Sequence, residues 1–251
     1  MTDRPEILHN GLLGWRWHGF LTATGDAGPP DPTLVAPRSQ LCMVRQVHSA
    51  HAVIVETPFA ADALPEADAM ATATRGIVLG IVTADCAPVL LCDRDRHVVG
   101  AAHAGWRGAL GGVLEATVDA MVALGAERGA IRAVIGPTIR QANYQVDAGF
   151  RDTMLAADRS NDSLFVEDDD LLSYDGVRRY RFDLPTYVVR RLFSAGIKAV
   201  ADIGCGFGLF ALYFAKLRPG VTIEGFDYNA RRIDDANEAA RTLGRTNARF
   251  R

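Results

Sequence analysis

Two short polar clusters, each at the end of an apolar run rich in β-branched residues, constrain the fold of this chain most. The run GIVLGIVTADCAPVLLCD (76–93) is interrupted by the cluster 83–86, and HVVGAAHAGW (97–106) ends in a second cluster around His103. Runs of this length and composition predict buried strands. Because both clusters fall at strand ends, the sequence predicts that they contribute to one site.

The remaining segments predict an α/β fold with a mixed sheet core flanked by helices. Apolar residues recur at helical spacing in GVLEATVDAMVAL (112–124), which Gly125 would cap. The other expected elements are two strands around a turn at Ser49–Ala50 within 41–56, a strand in 131–139, helices over 148–158 and 183–195, an extended loop over 21–40 and an acidic loop over 158–176.

Composition excludes several classes of protein. The chain has 251 residues, 49% of them hydrophobic, and a net charge of −3, which favours a globular protein and argues against nucleic acid as a partner. No apolar run reaches the roughly 18 to 20 residues that span a bilayer, so no membrane partner is expected. The first residues lack a secretion signal, which predicts a cytoplasmic protein with reduced cysteines available as metal ligands. The oligomeric state is left open.

His48, Cys86 and His103 are candidate metal ligands. Each lies at the end of an apolar strand beside a polar or glycine-rich turn. A catalytic zinc takes three protein N or S ligands and keeps one position open for water. Taken singly, each residue is better explained by packing in the core or by a place at the surface than by metal binding.

The motifs QVH (46–48), TADCAPVLLCD (83–93), GAAHAGWRG (100–108), AVIGPTI (133–139) and YQV (144–146) carry a family resemblance. Over residues 41–198 the chain resembles the purine nucleoside phosphorylases formerly labelled polyphenol oxidoreductase or laccase-domain proteins. The resemblance implies that His48, Cys86 and His103 are catalytic and bind zinc. It also implies phosphorolysis of adenosine, inosine, guanosine and methylthioadenosine, together with adenosine deamination, which makes the protein both a glycosyltransferase and a hydrolase.

Three further residues are candidates for binding substrate or phosphate. Arg107, which follows His103 between two glycines, would clamp phosphate, or it lies on the surface of a turn. Asp85 would orient a ligand or a substrate hydroxyl, or it caps a turn. Arg45 is a further candidate for binding an anion. Trp106 would stack on a purine or pack in the core.

The laccase label conflicts with the number of histidines. A multicopper oxidase needs two His and a Cys at its blue-copper centre and roughly eight further His at a trinuclear cluster. The chain has six His in all. This count excludes a multicopper oxidase, although a single copper ion in place of zinc remains open.

The last 53 residues predict a separate βαβ segment. Residues 199–230 resemble the first βαβ of an S-adenosylmethionine-dependent methyltransferase, with Gly204, Gly206 and Gly208 before a helix and Asp227 after the second strand. The resemblance implies that these residues bind the cofactor: the glycines let the backbone approach it, and Asp227 accepts hydrogen bonds from its ribose hydroxyls. We therefore expect a phosphorylase-like domain over 1–198 and a truncated, Rossmann-like βαβ segment over 199–251, whose apolar first strand joins a sheet. The alternatives are an S-adenosylmethionine-binding fragment and a catalytically impaired protein that binds zinc or nucleosides.

Overall fold

An eight-stranded mixed sheet runs through the computed structural model, which describes residues 7–8, 11–13, 18–21, 31–168 and 178–251. The strands are β1 (Ile7–Leu8), β2 (Phe20–Leu21), β3 (Gln40–Cys42), β4 (Ala52–Ile54), β5 (Ala69–Thr72), β6 (Ile77–Leu79), β7 (Ala87–Asp93), β8 (Val98–Ala104), β9 (Arg132–Ile135), β10 (Gln145–Asp147), β11 (Phe165–Glu167), β12 (Arg179–Phe182), β13 (Ala199–Ile203), β14 (Thr222–Phe226) and β15 (Ala248–Phe250).

The α-helices are α1 (Trp106–Gly111), α2 (Val113–Ala123), α3 (Ala148–Ala157), α4 (Leu184–Ser194), α5 (Leu209–Leu217) and α6 (Ala230–Thr242). Short 3-10 helices cover Gly11–Leu13, Pro32–Leu34, Arg128–Ala130, Gln141–Asn143 and Arg159–Leu164.

The large sheet has the order β15-β14-β13-β9-β7-β8-β5-β4. Strands β9, β13, β14 and β15 are parallel to one another, whereas β7 is antiparallel to both β9 and β8. Because β7 runs opposite to its neighbours, its first residues lie at the same edge of the sheet as the last residues of β8, β9, β13 and β14. This arrangement confirms the predicted mixed sheet flanked by helices.

The two faces of the sheet are covered differently. Along β7, Val89 and Leu91 belong to the main core, which also contains buried residues of helices α1 to α6. The alternate residue Cys92 packs on the opposite face with Leu12 and Leu13. Side chains alternate along a strand, so the helices cover one face and residues 11–13 cover part of the other.

Several predicted elements differ in detail. The helix predicted over 112–124 begins at Val113, because Gly112 adopts a left-handed conformation (φ 104°) that separates α1 from α2. The two strands predicted within 41–56 exist as β3 and β4. They belong to different sheets, because β3 pairs with β6 whereas β4 pairs with β5.

The two predicted loops fall partly outside the described residues. Residues 22–30 of the first and 169–176 of the acidic segment are not described. The rest of the acidic segment is not a simple loop, since it contains the 3-10 helix Arg159–Leu164 and β11. The physical reason is Phe165, whose ring packs 5.1 Å from that of Phe182 and anchors β11 on β12.

The C-terminal segment folds as β13-α5-β14-α6-β15 and continues the same sheet. The predicted βαβ is thus confirmed, with one additional helix and strand after it. Strand β13 pairs in parallel with β9 on one side and β14 on the other, as expected for an apolar strand that would otherwise be left open. The division into two domains at residue 198 stays a prediction.

Candidate metal site

His48, Cys86 and His103 come together at one edge of the large sheet. One ligand atom from each lies within 4.8 Å of the others, and the two imidazole rings are 4.8 Å apart between centroids. Cys86 directly precedes β7, whose residue Pro88 is opposite His103 in the antiparallel register. The pairing of two strands therefore brings a cysteine and a histidine together, and the segment between β3 and β4 supplies His48.

Two residues of this site have unusual backbone conformations. His48 and Asp85 have φ angles of 58° and 72°, in the left-handed region that residues other than glycine seldom adopt. Such a conformation costs about 1 to 2 kcal/mol for each residue. The Asp85 carbonyl is held there by the backbone N–H of Ile139 (2.9 Å) and the hydroxyl of Thr138 (2.7 Å). Strain of this kind is often retained at functional sites.

Asp68, which lies directly before β5, connects the segment of His48 to His103 through hydrogen bonds. Its carboxylate is fully buried and accepts hydrogen bonds from the backbone N–H groups of Val47 (3.2 Å), His48 (3.0 Å) and Ser49 (2.6 Å). It also accepts from the Ser49 hydroxyl (2.8 Å) and lies 2.8 Å from Nδ1 of His103. Burial alone would raise the pKa of Asp68, but these hydrogen bonds outweigh it and lower the pKa below its usual value.

Gly105 provides the space in which the side chains of the three candidate ligands meet. A Cβ atom at this position would lie 2.9 Å from Sγ of Cys86 and 3.0 Å from Nδ1 of His48. One thiol and two imidazoles are a donor set that suits zinc or copper. Burial, followed by the charges of Asp85 and Asp68, raises the pKa of the Cys86 thiol. A bound cation would oppose these effects and favour the thiolate. The residues present therefore fit a single metal ion.

Of the other residues predicted to bind substrate or phosphate, Arg107 and Arg45 are exposed, whereas Trp106 packs against the core. Arg107 is exposed in the first turn of α1, and its guanidinium lies 4.6 Å from the centre of the Trp106 ring. Trp106 packs 4.6 Å from Phe150 and so contributes to the core. Arg45 forms an exposed ion pair with Glu66 at 2.9 Å. Its guanidinium already has an acidic partner.

Tyr144 is a neighbour of the site that the sequence did not identify as functional. Burial and the charge on Cys86 raise the pKa of its hydroxyl to about 12, with an opposing contribution from Arg107. Its ring contacts those of Phe150 and Phe182 at 6.1 and 5.7 Å. The hydroxyl is thus a neutral group at neutral pH, held on a rigid aromatic cluster.

The glycine-rich loop after β13 is also at this edge of the sheet. Gly204, Gly206 and Gly208 all have positive φ angles, as a tight turn before α5 requires. The Asp227 carboxylate accepts hydrogen bonds from the backbone N–H groups of Gly206 (2.8 Å) and Asn229 (2.9 Å). The acidic residue assigned to a ribose in the methyltransferase resemblance therefore stabilises the loop itself.

An ion pair between Arg140 and a buried carboxylate connects this segment to the rest of the sheet. The Arg140 guanidinium donates two hydrogen bonds of 3.0 Å to Asp202 and a third, of 2.7 Å, to the carbonyl of Ile203. Asp202 is 1% exposed.

Within the ranges that the structure describes, every helix is too short or too polar to span a lipid bilayer.

The sequence is similar to curated proteins whose names describe enzymes of purine nucleosides. The sequence is 34% identical over 163 residues to a purine nucleoside phosphorylase from Rickettsia prowazekii, covering 65% of this chain and 64% of that protein. It is 39% identical over 113 residues to an adenosine deaminase from an unknown prokaryotic organism, covering 42% of this chain and 43% of that one. The chain thus spans less than two thirds of the length of these curated relatives.

The fold has matching solved structures. A crystal structure of a Neisseria meningitidis protein of the DUF152 family superposes with a TM-score of 0.55 at 28% identity, covering 65% of this chain and 63% of that one. These similarities give no support to the methyltransferase resemblance of residues 199–230. The profile of the family described as multi-copper polyphenol oxidoreductase laccase matches residues 32–215, nearly three quarters of the chain. The chain therefore belongs to that family.

Proposed function

We propose that this protein is a zinc-dependent enzyme that acts on purine nucleosides. The proposed reactions are phosphorolysis of adenosine, inosine, guanosine and methylthioadenosine, and deamination of adenosine. The observation that carries the proposal is the convergence of His48, Cys86 and His103 within 4.8 Å. The names of the relatives, purine nucleoside phosphorylase and adenosine deaminase, support the choice of substrate class.

In this proposal His48, Cys86 and His103 hold the zinc ion. Zinc, when bound, would supply a Lewis acid that activates water or polarises the substrate. Arg107 would bind phosphate, because an exposed guanidinium in the first turn of a helix can donate two parallel hydrogen bonds to an anion. Asp85 would orient a ligand or a substrate hydroxyl. Arg45 would be a further residue for binding an anion, since its ion pair with Glu66 is exposed and therefore weak.

The two proposed reactions place different demands on the chain. In phosphorolysis, a phosphate oxygen attacks C1′ as the bond from C1′ to the purine nitrogen breaks, and the purine leaves with a proton. In deamination, water adds at C6 and ammonia leaves, so no phosphate is needed. Arg107 would serve the first reaction by neutralising phosphate beside the ribose, whereas both reactions would need the three metal ligands.

The proposal is tested with the Cys86→Ala protein. Purified protein is incubated with adenosine and phosphate, and adenine, inosine and hypoxanthine are separated by liquid chromatography while bound zinc is measured by mass spectrometry. We expect the parent to form product and the variant to lose both product and zinc, because two remaining ligands hold zinc weakly. Cys205→Ala is the matched control. Cys205 follows β13 and is not one of the proposed ligands, so this variant is expected to keep both product formation and zinc binding.

Two results would contradict the proposal. If Cys86→Ala retains parental turnover, the thiol does not take part in the reaction. If the parent binds zinc stoichiometrically but forms none of the three products, the protein is a zinc-binding relative without this activity.

Arg107→Gln is expected to separate the two reactions. Loss of a charged hydrogen-bond donor to phosphate corresponds to about 1.5 to 3 kcal/mol, so the KM for phosphate should rise by about 10- to 100-fold. Adenosine deamination, measured as inosine formed without phosphate, should change little. An equal loss in both reactions would show that Arg107 does not bind phosphate.

A further inference from the structure

Asp68 contacts both of the segments that carry the histidines of the metal site. One carboxylate oxygen, Oδ1, is bonded to the His48 backbone N–H and lies beside His103 Nδ1, whereas Oδ2 accepts the three donors of Val47 and Ser49. We infer that Asp68 is a positioning residue, which fixes the tautomer of His103 and the backbone of His48 so that both rings face one metal ion. This inference rests on the proposed metal site.

The tautomer follows from the chemistry of the carboxylate. An ionised carboxylate can only accept hydrogen bonds, so His103 Nδ1 must carry the hydrogen over the 2.8 Å contact. The other ring nitrogen, Nε2, is then unprotonated and can bind a metal ion. His103 is 4% exposed, so water has little access to compete for Nδ1. Pairs of a carboxylate and a metal-bound histidine of this kind raise the basicity of the ligand and fix its ring.

The backbone of His48 depends on the same carboxylate. Three successive N–H groups, those of residues 47–49, point to Asp68, and this concave arrangement forms around the left-handed φ of 58° at His48. Without the carboxylate, three N–H groups would lose their common acceptor and the strained conformation would lose its support. The position of the His48 ring is therefore tied to that of His103 through one side chain.

Asp68→Asn keeps the shape of the side chain but replaces one hydrogen-bond acceptor, a carboxylate oxygen, by a donor, the amide NH2. The amide oxygen should take the position of Oδ2, where three donors converge, which leaves the amide NH2 facing Nδ1 of His103. Nδ1 must then accept, and the hydrogen moves to Nε2, where it blocks metal binding. The same NH2 opposes the His48 N–H and weakens that part of the site.

The test uses the full-length, metal-free protein labelled with ¹⁵N. Long-range ¹H–¹⁵N correlation spectra report which ring nitrogen of His103 is protonated, with His103→Gln used to assign the signals. We expect the Nδ1–H form in the parent and the Nε2–H form in Asp68→Asn. Zinc affinity, measured against a competing chelator, should fall by about 10- to 100-fold in Asp68→Asn. Asp93→Asn, the same change at a buried carboxylate at the far end of β7, should keep the parental tautomer and affinity.

The spectrum of the parent can overturn the inference without any variant. An Nε2–H form of His103 in the parent would contradict the assigned role, as would parental zinc affinity in a folded Asp68→Asn protein. If Asp68→Asn does not fold, Asp68→Glu replaces it and is expected to retain the Nδ1–H form with weaker zinc binding. A parent that shows the Nδ1–H form but binds no zinc would refute the proposed function while leaving the hydrogen bond as assigned.

Discussion

Gly105→Ala is expected to abolish tight zinc binding and nucleoside turnover while leaving the protein folded. The backbone at Gly105 (φ −68°, ψ 164°) is in the extended region that alanine adopts freely, so the substitution introduces no backbone strain. The added Cβ would lie 2.9 Å from Sγ of Cys86, whereas ordinary contacts begin at 3.4 Å. The sulfur, and the His48 ring at 3.0 Å, must each move by several tenths of an ångström.

Metal sites tolerate little displacement of this size, because ligand distances vary by only about 0.2 Å. We expect zinc affinity to fall by at least about 100-fold, the upper range found for changes around metal ligands. The measurement is a chelator competition assay together with urea unfolding of the metal-free protein. Gly220→Ala is the control, since its Cβ would meet no atom within 4 Å. Unchanged zinc affinity in Gly105→Ala would mean that the metal, if bound, is not held by Cys86 and His48 together.

Arg140→Met is expected to destabilise the fold by up to about 3 to 5 kcal/mol, because it leaves the buried Asp202 carboxylate without its charged partner. Asp202 is almost fully buried and receives two of its hydrogen bonds from Arg140. The measurement is urea unfolding, with the midpoint and slope compared between variant and parent. Arg45→Met is the exposed control, because its pair with Glu66 is worth at most about 1 kcal/mol.

The loss of stability in Arg140→Met should depend on pH in a defined direction. Burial raises the pKa of Asp202, and Arg140 acts against that rise. Without Arg140 the pKa of Asp202 goes higher, which favours the protonated, uncharged acid in the folded state. The deficit should therefore be largest at neutral pH and shrink as the pH falls through the raised pKa. A deficit that grows on acidification would contradict this account, and Asp202→Asn in the same background should remove the pH dependence.

The convergence of the three candidate metal ligands could be predicted in part because their signal is local. Cys86 and His103 each interrupt or end an apolar strand, and antiparallel pairing of the two strands accounts for their proximity. The helices α3 and α4 were predictable for similar reasons, since Asp147 and Asp183 cap their first turns through side-chain hydrogen bonds. The fold class followed from these elements.

Asp68 was not predictable as a buried acceptor from the residues around it. It lies in the sequence ADAMAT, where an aspartate among small apolar residues does not indicate which donors it would meet. Its five donors come from residues 47–49 and 103, and only the tertiary structure brings these together. The placement of β13 beside β9 was similarly hidden, because parallel pairing depends on strands far apart in sequence.

The place of β9 in the sheet has a consequence for synthesis of the chain. Its antiparallel neighbour β7 precedes it, but its parallel neighbour begins only at Ala199. While the intervening residues leave the ribosome, the β9 edge bearing buried Val134 and Ile135 has no partner from the large sheet on that side. An unpaired apolar edge of this kind is a template for aggregation. Nascent chains that pause before residue 199 are therefore the ones we expect to need a chaperone.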